Sequence, residues 1–315
     1  MNTNKIEMQN KMPFMYRLYQ YQKERFPILI HGLLIACFTF SAIAYSRLSR
    51  GAEGFIHFLD YAFAVSMTLG LFFLLRLFDE VKDHAEDMQF RKYLPVPRGL
   101  IHLSEIQMMI GIVISAQVIA LIIFKQQLIP IYLLCLGYML LMRVEFFAAD
   151  WLRKRQVWYI LSHMVIIPLV DILASAADWK LAGVIPPAGL AYFFVVSFLN
   201  GLVLEVGRKM RAPNQEEEGV ISYTHLWGIR GASLAWITLL VFTLWTAISA
   251  ANYAGHPTII LIALASIFLL CLVPVILFLK SPKPTYAKWI EHASGLWTLA
   301  MYLLLGGAPL LLNNF

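Results

Sequence analysis

The sequence predicts an all-α integral membrane protein, about nine transmembrane helices in a single bundle, and three observations carry that expectation. The first is composition. Of the 315 residues, 60% are hydrophobic and only 14% are charged, against roughly 25% charged in a soluble globular domain. Lipid is then the solvent for most of the surface. The second is the length of the apolar runs. A bilayer core of about 30 Å takes roughly 20 apolar residues per helix. Backbone groups in lipid must pair internally, which leaves helices or a closed barrel, and runs that are continuous rather than alternating argue against a barrel. The third is where the charges fall between the runs.

Residues 1–25 are polar with Met12, Phe14, Met15, Leu18 and Tyr19 interspersed, the pattern of a leader that is cytoplasmic or lies on the membrane surface. No short apolar core with a small-residue cleavage site follows, so the first run reads as a retained helix. The runs fall at 27–46, 59–78, 100–124, 128–149, 156–176, 184–205, 226–251, 257–279 and 290–312. The fourth contains Glu145 and the fifth Asp171, the two ionisable residues that fit an apolar run least well. Basic residues then orient the set, because Lys and Arg concentrate in cytoplasmic connections. Of the 25 basic residues, only Arg47, Arg50, Lys125 and Lys180 fall outside the leader and the connections after runs two, four, six and eight. Nine spans with a cytoplasmic N-terminus and an external C-terminus satisfy both patterns.

Cys37, Cys135 and Cys271 each sit inside an apolar run and read as small buried hydrophobes. The net charge of +6 is spread over loops, unlike a nucleic-acid footprint. His31 and His163 are lone histidines in apolar runs and read as satisfied bundle residues. The midplane of the predicted bundle is nearly free of charge, which argues against ion-coupled transport.

The densest charge cluster is RLFDEVKDHAEDMQFRKYLPVPRG, residues 76–99. Residues four apart on a helix advance about 40° around it and about 6 Å along it. Asp79, Asp83 and Asp87 therefore share one face if the helix continues past the membrane surface. Like charges at that spacing repel. A solvated helix end, compensated by Lys82, Arg91 and Arg98, is one reading. A cation site is the other: Mg²⁺ takes one or two carboxylates and leaves water or phosphate oxygens for the rest, and basic groups take the remaining phosphate oxygens.

A second constellation is NGLVLEVGRKMRAPNQEEEGVISYTHLWG, residues 200–228. Run six travels in the same direction as run two, so Asn200 and Glu205 approach the same cytoplasmic surface. Glu205 is either a functional acid near a membrane end or the partner of Lys209 on its own helix. Glu216, Glu217 and Glu218 read as a solvated loop. Asp150, near the end of run four, reads as the partner of Arg153 or Lys154.

These two stations resemble the UbiA-type membrane prenyltransferase superfamily. Its first motif is Asn-x₃-Asp-x₃-Asp, often with an acid after the Asn; here it reads Asp79-Glu80-x-x-Asp83-x₃-Asp87. Pro95, Pro97 and Gly99 match the family's Arg-Pro-Leu-Pro-x-Gly turn, with Leu94 in place of the Arg. The second motif, Asp-x₃-Asp, appears as Glu205-x₃-Lys209, and EEGVISYTHLWG resembles the family's Gly-x-x-Thr tail. The resemblance implies one nine-helix prenyltransferase domain over 26–315, with its active site facing the cytoplasm. It implies Mg²⁺ held by Asp79, Asp83, Asp87 and Glu205, and an allylic isoprenoid diphosphate contacted by Lys209 and Arg91 foremost, then Lys92, Arg98 and Arg208, with Asn200 orienting. The implied reaction passes an isoprenoid chain to a lipid-soluble, commonly aromatic, acceptor in the membrane, with no nucleic acid involved. A membrane-embedded terpene cyclase would share the ionisation step, and a non-catalytic isoprenoid-lipid binder would share the fold. Lys209 departs from the motif. Three readings stay open: Glu216 or Glu217 folds back to supply the carboxylate, Lys209 contacts phosphate itself, or the site has lost its usual chemistry.

Overall fold

The computed structural model describes residues 12–217 and 220–314. Among them, nine helices are long and apolar enough to cross a membrane, and there is no strand. The protein is a multi-pass, all-α integral membrane protein. Its chain folds as two compact units, residues 12–36 with 65–154 and residues 37–64 with 155–314. The part of the leader at residues 1–11 lies outside the described residues.

The first unit begins with α1, Phe14–Arg25. Arg17 and Tyr21, four apart, are buried, while Met15, Tyr16 and Tyr19 on its other sides are exposed. Three ion pairs clasp this short helix. The Arg17 guanidinium donates to both oxygens of Glu105, at 2.8 and 2.6 Å. Arg25 Nε donates to Glu80 Oε1 at 2.6 Å. Arg98 donates to both oxygens of Glu24, at 2.9 and 2.6 Å. Pro27 disfavours helix at Phe26, and the first span, α2, starts at Ile28 and runs to Ser49.

The second span, α3, is Phe58–Lys82, and a seven-residue helix, α4, follows at His84–Phe90. The third, α5, is Leu103–Phe124. Its buried Gln117 would be costly in lipid without partners. It has them: its amide donates to the Met67 carbonyl at 2.8 Å and accepts from Tyr132 Oη at 3.2 Å.

The fourth span enters through a 3₁₀ turn at Gln126–Leu128 and continues as α6, Ile129–Arg143. It stops six residues before the expected end at 149. Glu145, Phe146 and Phe147 have φ of 51°, 52° and 58°, a left-handed turn that ends any right-handed helix. Glu145 therefore lies outside the membrane-spanning helix. The short α7, Ala149–Arg153, follows.

In the second unit the fifth span is α8, Gln156–Met164, continued by α9, Ile166–Trp179. The sixth, α10, Leu190–Arg208, starts six residues later than expected, after Pro186 and Pro187. The seventh, α11, is Tyr223–Tyr253, the eighth, α12, Thr258–Lys280, and α13 begins the ninth at Pro284–Tyr302. Helix α10 packs on α9, α11 and α13. The ninth span passes through a π turn at Leu303–Gly307 into α14, Ala308–Asn314. The three cysteines are free, two of them buried and Cys37 half-buried.

The π turn coincides with a close approach. A Cβ on Gly306 would lie 2.8 Å from Ser41 Cα and 2.7 Å from its carbonyl carbon, on the backbone of α2. Backbone cannot swing aside as a side chain can. Gly306→Ala is therefore expected to cost about 3 kcal/mol by overpacking, read as a lowered unfolding temperature in detergent. An unchanged temperature would contradict this packing.

Candidate functional site

The first acidic station lies in the first unit, across the junction of α3 and α4. The helix is interrupted at Asp83, yet backbone hydrogen bonds link the aspartates across the break. Asp83 N–H donates to the Asp79 carbonyl, Asp87 N–H to the Asp83 carbonyl and Arg91 N–H to the Asp87 carbonyl, each at 2.9 Å. The three aspartates and Arg91 thus follow one another at helical spacing along one face. Asp79 is half-buried and Asp87 is buried. Burial pushes the Asp83 carboxyl up to about 6; the repulsion of Asp79, Asp87 and Glu86 adds to that, and Lys82 opposes it. A carboxylate disfavoured by its own neighbours is relieved by a cation.

Two basic residues of this station, Lys82 and Arg91, are engaged with it. Lys82 Nζ lies 3.8 Å from Asp83 Oδ1 and 3.6 Å from Glu145 Oε1. Arg91 reaches Asp87 at 3.1 Å and Glu86 at 3.8 Å. Lys92 is exposed. Arg98 is turned to Glu24 and to the Tyr93 carbonyl. Glu80, beside Asp79 in sequence, is buried and paired with Arg25 at 2.6 Å and Arg76 at 3.4 Å. The turn after α4 closes with Gly99 at φ +79°, the left-handed region that favours glycine. Glu145 is the residue that sequence reasoning missed. Its position inside an apolar run concealed it, and only the left-handed turn brings it to Lys82.

Among the described residues, no group of three or more His, Cys, Asp or Glu side chains closes around a common point. The donor set does fit a hard divalent cation held openly. Mg²⁺ keeps several waters and takes one or two carboxylates together with substrate phosphate oxygens, without a closed protein cage. Asp79, Asp83 and Asp87 carry carboxylates of the type that such an open site would use.

The second station lies in the second unit, at the end of α10. The buried Glu205 carboxylate is held from both sides, by Arg208 Nε at 2.6 Å and Lys209 Nζ at 2.7 Å. Lys209 also lies 5.8 Å from the centre of the Tyr223 ring, within cation–π range. Neither open reading that brought Glu216 or Glu217 back to Glu205 matches this arrangement. Glu216 instead accepts from Ser222 Oγ and Thr224 Oγ1, at 2.6 and 2.9 Å, where α11 starts. Glu217 is exposed, and Glu218 lies outside the described residues. Arg211 turns to the Arg208 and Met210 carbonyls. Asn200 is fully buried on α10, and neither its amide nitrogen nor its amide oxygen has a hydrogen-bond partner.

Two solved structures align with almost the whole chain. One, described as a UbiA homologue from Aeropyrum pernix K1, matches with a TM-score of 0.63 and 14% identity over 90% of this chain and 98% of its own. The other comes from work on digeranylgeranylglyceryl phosphate synthase in membranes. It matches with a TM-score of 0.58 and 18% identity over 92% of this chain and 99% of its own. The chain has the UbiA fold. No family model and no curated protein matches the sequence. On the UbiA fold of this chain, the aspartate ladder sits at the end of the second span and Glu205 at the end of the sixth.

Proposed function

We propose that the protein is a Mg²⁺-dependent prenyltransferase of the UbiA type. It would transfer an isoprenoid chain from an allylic diphosphate to a lipid-soluble acceptor inside the membrane. The observation that carries this reading is the succession of Asp79, Asp83 and Asp87, linked by backbone hydrogen bonds at the end of a membrane span, on the UbiA fold.

In the transfer, the allylic C–O bond breaks with its electron pair leaving on the diphosphate. A bond forms from the acceptor nucleophile to the allylic carbon, and the acceptor loses a proton. Magnesium, when bound, supplies the charge neutralisation that makes diphosphate a better leaving group. Asp79, Asp83 and Asp87 would hold it, and the family resemblance implies Glu205 as a further ligand. Arg91, Lys92, Arg98, Arg208 and Lys209 are the candidate phosphate contacts. Of these, Lys209 and Arg208 stand beside Glu205, and Arg91 beside Asp87. Asn200, buried with its amide unsatisfied, suits an orienting role. The surrounding apolar and aromatic side chains would exclude the water that quenches an allylic cation. The charge asymmetry of the connections supports a site that faces the cytoplasm.

The likeness to structural work on digeranylgeranylglyceryl phosphate synthase adds a glycerol lipid to the aromatic acceptors worth testing. The test uses the purified full chain in nanodiscs with geranyl, farnesyl and geranylgeranyl diphosphates, Mg²⁺ and a panel of both acceptor types. Expected is diphosphate release that requires both Mg²⁺ and an acceptor. Release of a cyclic hydrocarbon with no acceptor would replace transfer by cyclisation. No Mg²⁺-dependent binding of any of the three diphosphates would refute the reading.

A further inference from the structure

The aspartate ladder has an arginine at each end. Arg91 follows Asp87, and Arg76 precedes Asp79 by three residues and Asp83 by seven, inside α3. Seven residues return to within about 20° of the same side of a helix. Arg76 therefore stands on the face that carries the ladder, about one turn further into the span. Its side chain is 26% exposed, so it is neither freely hydrated nor sealed off.

Arg76 shares its acid with a second guanidinium. The buried Glu80 accepts from Arg25 Nε of α1 at 2.6 Å, whereas Arg76 Nη2 lies 3.4 Å from the same oxygen. Only the first is as short as a charge-assisted hydrogen bond of about 2.7–2.9 Å. Two guanidiniums against one carboxylate leave one positive charge over. Arg76 Nε is buried and has no hydrogen-bond partner among the described residues, and the same holds for the hydroxyl of the fully buried Tyr21. The Tyr21 phenol is within electrostatic reach of Glu80, Arg76, Arg25 and Asp79; burial, then Glu80, push it up, so it keeps its proton. Buried donors are as a rule paired. Two donors without acceptors, beside a surplus positive charge, suit an anion.

We propose that Arg76 is a further diphosphate contact, on the phosphate that carries the isoprenoid chain, and that Arg25 is its positioning residue, holding Glu80 so that Arg76 is not drawn onto it. The proposal rests on the prenyl-transfer reading of the ladder. With the diphosphate at the ladder and the chain in the apolar span, the bond that breaks lies at the boundary, where Arg76 stands. The guanidinium donates to that phosphate's oxygens and stabilises the electron pair that leaves with the diphosphate. It stays charged throughout and transfers no proton. Without Arg25, both oxygens of Glu80 become available, since Oε2 already lacks a partner, and a two-pronged pair would capture Arg76.

The test measures binding of farnesyl and geranylgeranyl thiodiphosphates, which resist ionisation, to the full chain in nanodiscs with Mg²⁺ by calorimetry. Binding of Mn²⁺ alone is followed by electron paramagnetic resonance. Arg76→Gln should raise the Kd of the tighter analogue about tenfold or more, with Mn²⁺ alone bound as well as before or better. Arg25→Gln should raise that Kd less. The double variant Arg25→Gln, Glu80→Gln should return to the wild-type value, a rescue that simple damage to α1 would not produce. Thermal unfolding separates loss of fold from loss of affinity; the Arg25 variants keep the test decisive if Arg76→Gln does not fold, and Arg76→Gln does so for them. An unchanged Kd in Arg76→Gln, weaker binding of Mn²⁺ alone in that variant, or a double variant as weak as Arg25→Gln would overturn the proposal while the wild type still binds. A wild type that binds neither analogue with Mg²⁺ would overturn both this proposal and the prenyl-transfer reading.

Discussion

Asp83→Ala is expected to lower Mg²⁺-dependent turnover of an allylic diphosphate about a thousandfold or more, with the protein still folded in detergent. Asp83 is the middle rung of the ladder, bonded through its backbone to Asp79 above and Asp87 below. It is also the rung whose ionisation burial and the other acids resist. Burial pushes its carboxyl up to about 6 in the folded chain, against an ordinary 3.8. The folded state therefore binds this proton more tightly than the unfolded state does. The stability this contributes is full below about pH 4 and is lost as pH rises through about 6. Metal-free protein should then unfold at a lower temperature at pH 7 than at pH 5, with Mg²⁺ narrowing the gap. The Asp83 side chain is 36% exposed, so solvent screening reduces the effect to about 1 kcal/mol. Asp83→Asn should flatten that dependence and abolish the response to Mg²⁺. Competition from the proton should also weaken Mg²⁺ binding as pH falls below about 6. Full turnover in Asp83→Ala would sink the assignment of the ladder to the metal.

Asp178→Ala is expected to be the most damaging single change to stability, by about 3–5 kcal/mol. Asp178, in the last turn of α9, has a fully buried side chain. It accepts from Ser46 Oγ at 2.8 Å, from Arg47 at 3.0 Å, and from Arg50 at 2.8 and 2.6 Å. Arg47 also donates to the Gly54 carbonyl at 2.7 Å and to the Glu53 carbonyl, which orders the connection between α2 and α3. Removing the acid strands a guanidinium that is itself buried, and an uncompensated buried charge costs far more than a lost surface pair. Asp178→Asn keeps an acceptor and should cost less. Thermal unfolding in nanodiscs reads both, and a loss under about 1 kcal/mol for the alanine would mean that water replaces the carboxylate. The same cluster accounts for Arg47 and Arg50, basic residues that the charge pattern set apart from the candidate site. They serve one buried acid.

The helices were legible in the sequence because lipid demands long apolar runs, and all nine expected runs have a counterpart. Their ends were less so. Pro186 and Pro187 carried a signal that could have moved the start of α10 to its place after them. The end of α6 carried none, since Glu-Phe-Phe contains no glycine, asparagine or proline to announce a left-handed turn. The aspartate ladder was legible because periodicity is local. Its partners were not, because Lys82–Glu145 and Glu24–Arg98 join residues 63 and 74 apart. At the second station, spacing alone allowed Glu205 to meet Lys209 on its own helix, and it does. The Glu216 alternatives were open only because a loop's path is not periodic.

The clasp on α1 has a consequence for how the protein is made. Glu105 is 88 residues beyond Arg17, Arg98 is 74 beyond Glu24, and Glu80 is 55 beyond Arg25. At about 5–20 residues per second of synthesis, Arg17 waits roughly 4–18 s before its acid exists. During that interval Arg17 lacks the acid that it pairs with in the folded chain, while Met15, Tyr16 and Tyr19 already stand exposed on the helix. The three ion pairs of α1 can therefore all exist only once the second span and the first turn of the third have been made.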